Sequence, residues 1–129
     1  MPLSDASCAA VTSVFAPVPA EEARRVLEEN GVLLVARPGA RHLSGMKEIL
    51  YKAPYDNPEK PLSFPGFRLL SEERIFYRAD IGKDDMKNLF YMTPYCYKTA
   101  KEDAERFFAC GGFSTELDFR ISLFRKEPL

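Results

Sequence analysis

Tryptophan is absent from the 129 residues, histidine occurs once (His42), and cysteine occurs three times, at Cys8, Cys96 and Cys110. One histidine and three scattered thiols without a Cys-x-x-Cys pair do not make a zinc ligand set, so no zinc or other metal is expected. The odd number and wide spacing argue against a disulfide scaffold and for a reducing, cytoplasmic setting, with the thiols packed or exposed and without chemistry. An excess of charge is missing too. Eighteen Lys+Arg against nineteen Asp+Glu leave −1. That excludes a strongly basic tail but not a local patch for nucleic acid. No apolar run approaches the roughly 18 residues of a membrane span, and MPLSDASCAA has neither the basic start nor the apolar core of a signal peptide. No Gly-x-Gly-x-x-Gly, Walker sequence or Gly-x-Ser-x-Gly occurs, which removes the common phosphate loops and the serine elbow. Internal repeats and low-complexity stretches are absent.

What remains is an ordinary globular composition, 46% hydrophobic and 29% charged, of a length that suits one domain over 1–129. Residues 9–15 read as a short strand. Pro17 and Pro19 break it, and AEEARRVLEEN reads as a helix. Pro19 stands at its start, acids fill the first turn, and Asn30-Gly31 ends it, with the glycine left-handed. VLLVA, 32–36, is apolar on both faces, as a parallel strand covered on both sides would be. A helix is expected from Leu43 to Lys52, with Leu43, Met46, Ile49 and Leu50 inward and Gly45 as a weak point. Residues 53–65 hold four prolines and form a loop that Tyr55, Leu62 and Phe64 could pin down. Residues 72–81 alternate as a strand with Ile75, Tyr77, Ala79 and Ile81 on one face. Helices follow over 83–91, with Met86, Leu89 and Phe90 inward, and after a Thr99–Glu102 capping box, with Ala104, Phe107 and Phe108 inward. STELDFRISLF, 114–124, alternates Leu117, Phe119, Ile121 and Leu123 against Glu116, Asp118, Arg120 and Ser122. One polar face predicts an antiparallel or edge strand. The sum is β-α-β-α-β-α-α-β: an α/β order, two parallel strands first and an antiparallel one last, forming part of a doubly wound sheet.

Ligands of such sheets bind at the carboxyl ends of the strands. Two segments fall there. Phe15-Ala16-Pro17 ends the first strand, and His42 follows the second, beside Arg41. Each can equally be an ordinary turn or helix start. Met92-Thr93-Pro94-Tyr95-Cys96-Tyr97-Lys98 combines aromatic rings, a helix breaker and a cation. Such a set suits a flat base, or else a kink whose tyrosines complete the core. Arg37, Arg41, Lys47 and Lys52 form either a basic patch or a solvated face. These residues point to a ligand site but to no reaction.

Several strings resemble a known family: Pro2-Leu3, Asp5-Ala6-Ser7, Phe15-Ala16-Pro17, Glu21-Glu22, Pro38-Gly39-Ala40-Arg41-His42-Leu43, Met92-Thr93-Pro94-Tyr95 and the terminal DFRISLFRK. Together they resemble the carboxyl half of the S-adenosylmethionine-dependent guanine-N1 methyltransferases of large-subunit ribosomal RNA. The resemblance implies a partial class I methyltransferase (Rossmann-like) sheet lacking the first three strands, the zinc finger and the cofactor glycine loop. It implies S-adenosylmethionine as cofactor, with His42 in contact with it. It implies ribosomal RNA as partner, with Phe15, Ala16, Pro17, Met92, Thr93, Pro94 and Tyr95 at the substrate base. No general base is implied. Val18 and Ala9 depart from the pattern, which has cysteine and aspartate there. The chain alone is expected to be inactive and to bind the cofactor weakly. Two other readings share these residues: a non-catalytic module that completes its sheet as a homodimer, and half of a small-molecule methyltransferase.

Overall fold

A parallel pair opens the fold. In the computed structural model, which describes residues 1–54, 56–58 and 60–128, β1 (Cys8–Val14) runs beside β2 (Leu27–Pro38), with Val11 opposite Leu33 and Val14 opposite Ala36. The crossover carries α1 (Ala20–Val26). Then come α2 (Ser44–Leu50), β3 (Phe67–Gly82), α3 (Lys83–Tyr91), a 3-10 turn (Pro94–Tyr97), α4 (Lys101–Ala109) and β4 (Gly112–Lys126). The sheet order is β1-β2-β4-β3, with β4 antiparallel to β2. The expected β-α-β-α-β-α-α-β order is the observed one. Tyr55 lies outside the described residues. No helix among the described residues is long and apolar enough to cross a membrane.

The chain divides into two compact units. The first comprises Met1–Gly39, Pro58–Ile75 and Phe119–Leu129. Its core is Ala23, Leu27, Leu33, Val35 and Phe124, with Leu62, Phe64 and Phe67 packed on it. The Phe64 ring meets Phe124 edge-on, 5.2 Å between centroids. Leu62 and Phe64 thus pin the proline-rich loop as expected. Only one face of the 32–36 strand is fully buried, through Leu33 and Val35. Val32 and Leu34 on the other face are half-buried, so the two-sided cover that its composition predicted is partial. The helix over 20–30 is also shorter than expected. Leu27 leaves α1 in extended conformation and pairs with Cys8, because strand pairing to β1 competes for its backbone. The left-handed residue is Asn30 (φ 62°), not Gly31, and it lies within β2, where the register against β1 shifts between Leu27 and Val32. Gly31 serves close approach instead: a Cβ there would stand 2.9 Å from the Glu28 carbonyl oxygen.

The second unit comprises Ala40–Asn57 and Phe76–Asp118. Leu43, Met46, Leu50, Met86, Phe90, Tyr95 and Phe107 form its core, with Ile49, Leu89, Ala104 and Phe108 packed around them. The inward residues read from helical spacing are the ones found inward. The capping box is not formed. Ala100 is the N-cap of α4 without a side-chain bond, and the Thr99 hydroxyl donates back to the Tyr95 carbonyl at 2.7 Å. Gly45 is no weak point but a requirement, since a Cβ on it would fall 2.1 Å from the Ser114 carbonyl oxygen.

β4 is antiparallel, as expected, and lies inside the sheet order; the correction concerns its polar side, which carries buried residues. Asp118 and Ser122 are buried, whereas Leu117, Phe119, Ile121 and Leu123 are half-buried. For Asp118 the reason is local: its carboxylate accepts the backbone N–H of Arg41 at 3.0 Å, which replaces the water it gave up.

Candidate functional site

In the first unit, the candidate residues end β1. The Phe15 N–H donates to the Ala36 carbonyl at 2.9 Å, the last link between the two parallel strands. Phe15 then turns left-handed (φ 51°), a conformation that a bulky side chain rarely adopts. Its half-exposed ring stands 5.9 Å from that of Phe119. Ala16 and Pro17 are exposed, and the Ser13 hydroxyl donates to the Ala16 carbonyl at 3.3 Å. Strain of this kind costs on the order of 1–3 kcal/mol and collects at functional turns. Arg37, from the expected basic patch, is committed elsewhere: it donates to the Lys60 carbonyl and pairs with Glu72 at 3.5 Å.

The Asp5-Ala6-Ser7 segment is held by Arg25. This guanidinium reaches Asp5 at 2.7 Å, Glu22 at 2.8 Å and the carbonyls of Met1 and Leu3. The pairing with Arg25 holds the Glu22 carboxyl far below its ordinary value, at about 2.

In the second unit, the turn before α2 carries Arg41, His42 and Leu43, and β4 fixes each of them. The Arg41 N–H goes to Asp118 and the Leu43 N–H to the Glu116 carbonyl at 2.8 Å. The Asp118 N–H donates to His42 Nδ1 at 3.1 Å. A nitrogen that accepts carries no proton, so the neutral imidazole bears its hydrogen on Nε2. His42 is buried, and burial pushes its pKa below the ordinary 6.5. Asp118 opposes this shift, and the Lys47 charge adds to it. Leu43 is the second bulky residue held left-handed (φ 56°), directly after the histidine.

Lys47 is almost fully buried. Its ammonium donates to Asn57 Oδ1 at 2.9 Å and lies 5.8 Å from the centroid of the Tyr95 ring. Burial lowers its pKa from the ordinary value. Arg41 pairs with Asp56 at 3.0 Å, and the Asn57 N–H donates to the Ala40 carbonyl. Lys52 is exposed. The four cations of the expected patch are therefore mostly spent on internal partners.

Glu116 accepts from the Ser44 hydroxyl and from Arg78 at 3.2 Å. The Ser44 bond is the main cause of its lowered pKa. Sequence reasoning named Lys47 in a basic patch with Arg41 but placed it at the surface, and it missed Glu116 and Asp118 as members of this cluster. For the two acids the one available signal was their alternation, Glu116 and Asp118 on one side of the last strand.

Within the third segment, Thr93 is buried, its hydroxyl donating to the Phe90 carbonyl at 2.8 Å. Tyr95 is buried, edge-on to Tyr51. Met92 and Pro94 are exposed. The described residues contain no group of three or more His, Cys, Asp or Glu side chains placed to hold a metal.

No family profile matches the chain. A 43-residue stretch, 33% of this chain and 15% of the relative, is 51% identical to a protein of Micromonospora griseorubida described as "Putative 23S rRNA (guanine-N(1)-)-methyltransferase". The match therefore spans less than a sixth of that relative's length. Among solved structures, one from Bacillus halodurans C-125, described as "a putative methyltransferase (BH2331)", superposes with a TM-score of 0.51 at 18% identity. The superposition covers 99% of this chain and 68% of that one. At that identity the likeness is one of fold: a mixed α/β sheet, parallel at β1-β2 and antiparallel at β4, shared with a structure so described.

Proposed function

We propose that the chain is the carboxyl-side part of an S-adenosylmethionine-dependent methyltransferase that acts on guanine N1 of large-subunit ribosomal RNA. The observation that carries this reading is the 51% identity over 43 residues to a protein so described, on a chain whose fold is a methyltransferase fold. The cofactor fits only in part. S-adenosylmethionine supplies the methyl group when bound, and the resemblance sets His42 against it, a buried neutral imidazole with its hydrogen on Nε2 by the tautomer argued above. The 129 residues hold no Gly-x-Gly loop, so one donor is not a cradle, and no chemical step is assigned to them. Phe15, Ala16 and Pro17 belong to this reading as the strained, exposed end of β1. Methylation at N1 blocks the pairing edge of guanine and stops reverse transcriptase. Disrupting the coding sequence should remove one such stop from the large-subunit RNA of the parent cell. An unchanged pattern of stops overturns the reading.

One observation favours a second reading, a methyltransferase-like module completed by another copy. Among the described residues β1 has β2 as its sole neighbour in the sheet, and Ser13 is its one buried residue.

A further inference from the structure

Lys47 is 1% exposed, the one lysine or arginine among the buried residues described. Taking an ammonium out of water is unfavourable, and an apolar side chain of similar length fills such a space without that penalty. The core therefore gives no reason for a charge at this position. Its partners do.

Those partners come from three segments of the second unit. Lys47 lies on α2, and its backbone N–H donates to the carbonyl of Leu43, the residue after His42, at 3.0 Å. Its ammonium donates to Asn57 Oδ1 at 2.9 Å. The same ammonium lies over the ring of Tyr95, 5.8 Å from the centroid, and Tyr95 belongs to the 3-10 turn. Asn57 passes the hold on, because its N–H donates to the Ala40 carbonyl at 3.0 Å. Beside it, Asp56 pairs with Arg41 at 3.0 Å. Residues 40 and 41 are thus held twice, by the 56–57 segment and by Asp118 at the Arg41 N–H, and His42 follows directly. An amide oxygen that accepts from a cation makes one of the stronger hydrogen bonds, and a cation over a ring face is attracted to it. Both contacts need the charge, and a methionine of the same length offers neither.

We propose that Lys47 is the positioning residue of the candidate site: its buried ammonium ties the 56–57 segment and the Tyr95 ring to α2, and so fixes the turn that carries His42. The tie itself is geometric. That His42 faces a cofactor rests on the reading above.

The test is nuclear magnetic resonance of the whole nitrogen-labelled chain, without cofactor or RNA, on wild type, Lys47→Met and Asn57→Ala. It reads two quantities: hydrogen exchange of the backbone N–H at position 57, and the shifts of the two His42 ring nitrogens at neutral pH. Wild type should show a protected amide and the well-separated nitrogen shifts of one tautomer. In both variants the amide should exchange about tenfold faster or more, as the loss of one charge-assisted hydrogen bond allows. The two nitrogen shifts should draw together as the turn loosens and Nδ1 loses its steady donor. In the double variant the exchange at 57 should not rise further, since both substitutions remove the same bond. A merely structural lysine would leave the imidazole shifts in place and lower the urea midpoint instead. Three outcomes overturn the proposal: unchanged exchange at position 57 in Lys47→Met, unchanged nitrogen shifts in both variants, or a Lys47→Met chain that unfolds far more easily or does not fold. Asn57→Ala alters only a half-buried partner and keeps the test open in that last case, where fast exchange at 57 with unmoved imidazole shifts confirms the failure. No methyl transfer enters the assay, so its failure and that of the methylation reading are separate events.

Discussion

His42 shows how one backbone contact determines the chemistry of a side chain. The Asp118 N–H makes Nδ1 an acceptor and so favours the neutral ring, and burial acts in the same direction. An unfolded histidine titrates near 6.5, and the native one lower. Between those values the unfolded chain binds more protons, so stability is complete above pH 6.5 and falls as pH drops through the window. Asparagine at 42 keeps an acceptor near the place of Nδ1 but cannot titrate. Urea unfolding from pH 7.5 to 5 should therefore show a steeper loss for wild type than for His42→Asn. Parallel curves would refute the argument. Lys47 follows the same logic at higher pH. Its native amine sits below 10.5, so at neutral pH the buried charge already costs stability. Lys47→Met, equal in length and uncharged, should unfold at the same or a higher urea midpoint.

The contact of α2 with β4 leaves no room for a methyl group. Gly45→Ala would drive a Cβ into the Ser114 carbonyl, and backbone cannot swing aside as a long side chain can. The expected loss is about 2 kcal/mol in urea unfolding, in the range of overpacked cores. A loss below a few tenths would mean that the helix shifts freely. Gly45 also marks a limit of propensity. Its helical cost is legible in sequence, but the strand it lies against is not, since Gly45 and Ser114 are far apart in the chain. The polar side of β4 is the same case. Alternation placed the strand and its faces correctly, but which face is buried depended on the Arg41 N–H arriving at Asp118. The inward faces of α3 and α4 needed no such partner, because helical spacing alone selects Met86, Phe90 and Phe107.

At the scale of the molecule, the parallel edge decides behaviour. β1 presents its unpaired side as a template for another strand. Sedimentation or size exclusion should show a dimer fraction that rises with concentration. Val14→Lys, at an exposed edge position, should lower it. A strict monomer at every concentration counts against the second reading. Calorimetric titration of the chain with S-adenosylmethionine should give a dissociation constant weaker than about 1 mM, since one imidazole donor replaces a full cradle. A micromolar value would show that the residues present suffice.

The order of elements, the inward helix faces, the two turns that end the parallel strands and the family resemblance were all present in the sequence. Each depends on neighbours a few residues apart or on short strings of fixed spacing. Tertiary structure alone decided that β4 is central, that Asp118 and Glu116 hold the turn of His42, that Lys47 lies inside against Tyr95, and that Tyr95 is covered while Tyr97 is left in water. These are contacts between segments distant in sequence, and no local periodicity records which of two chemically similar positions the rest of the chain will cover.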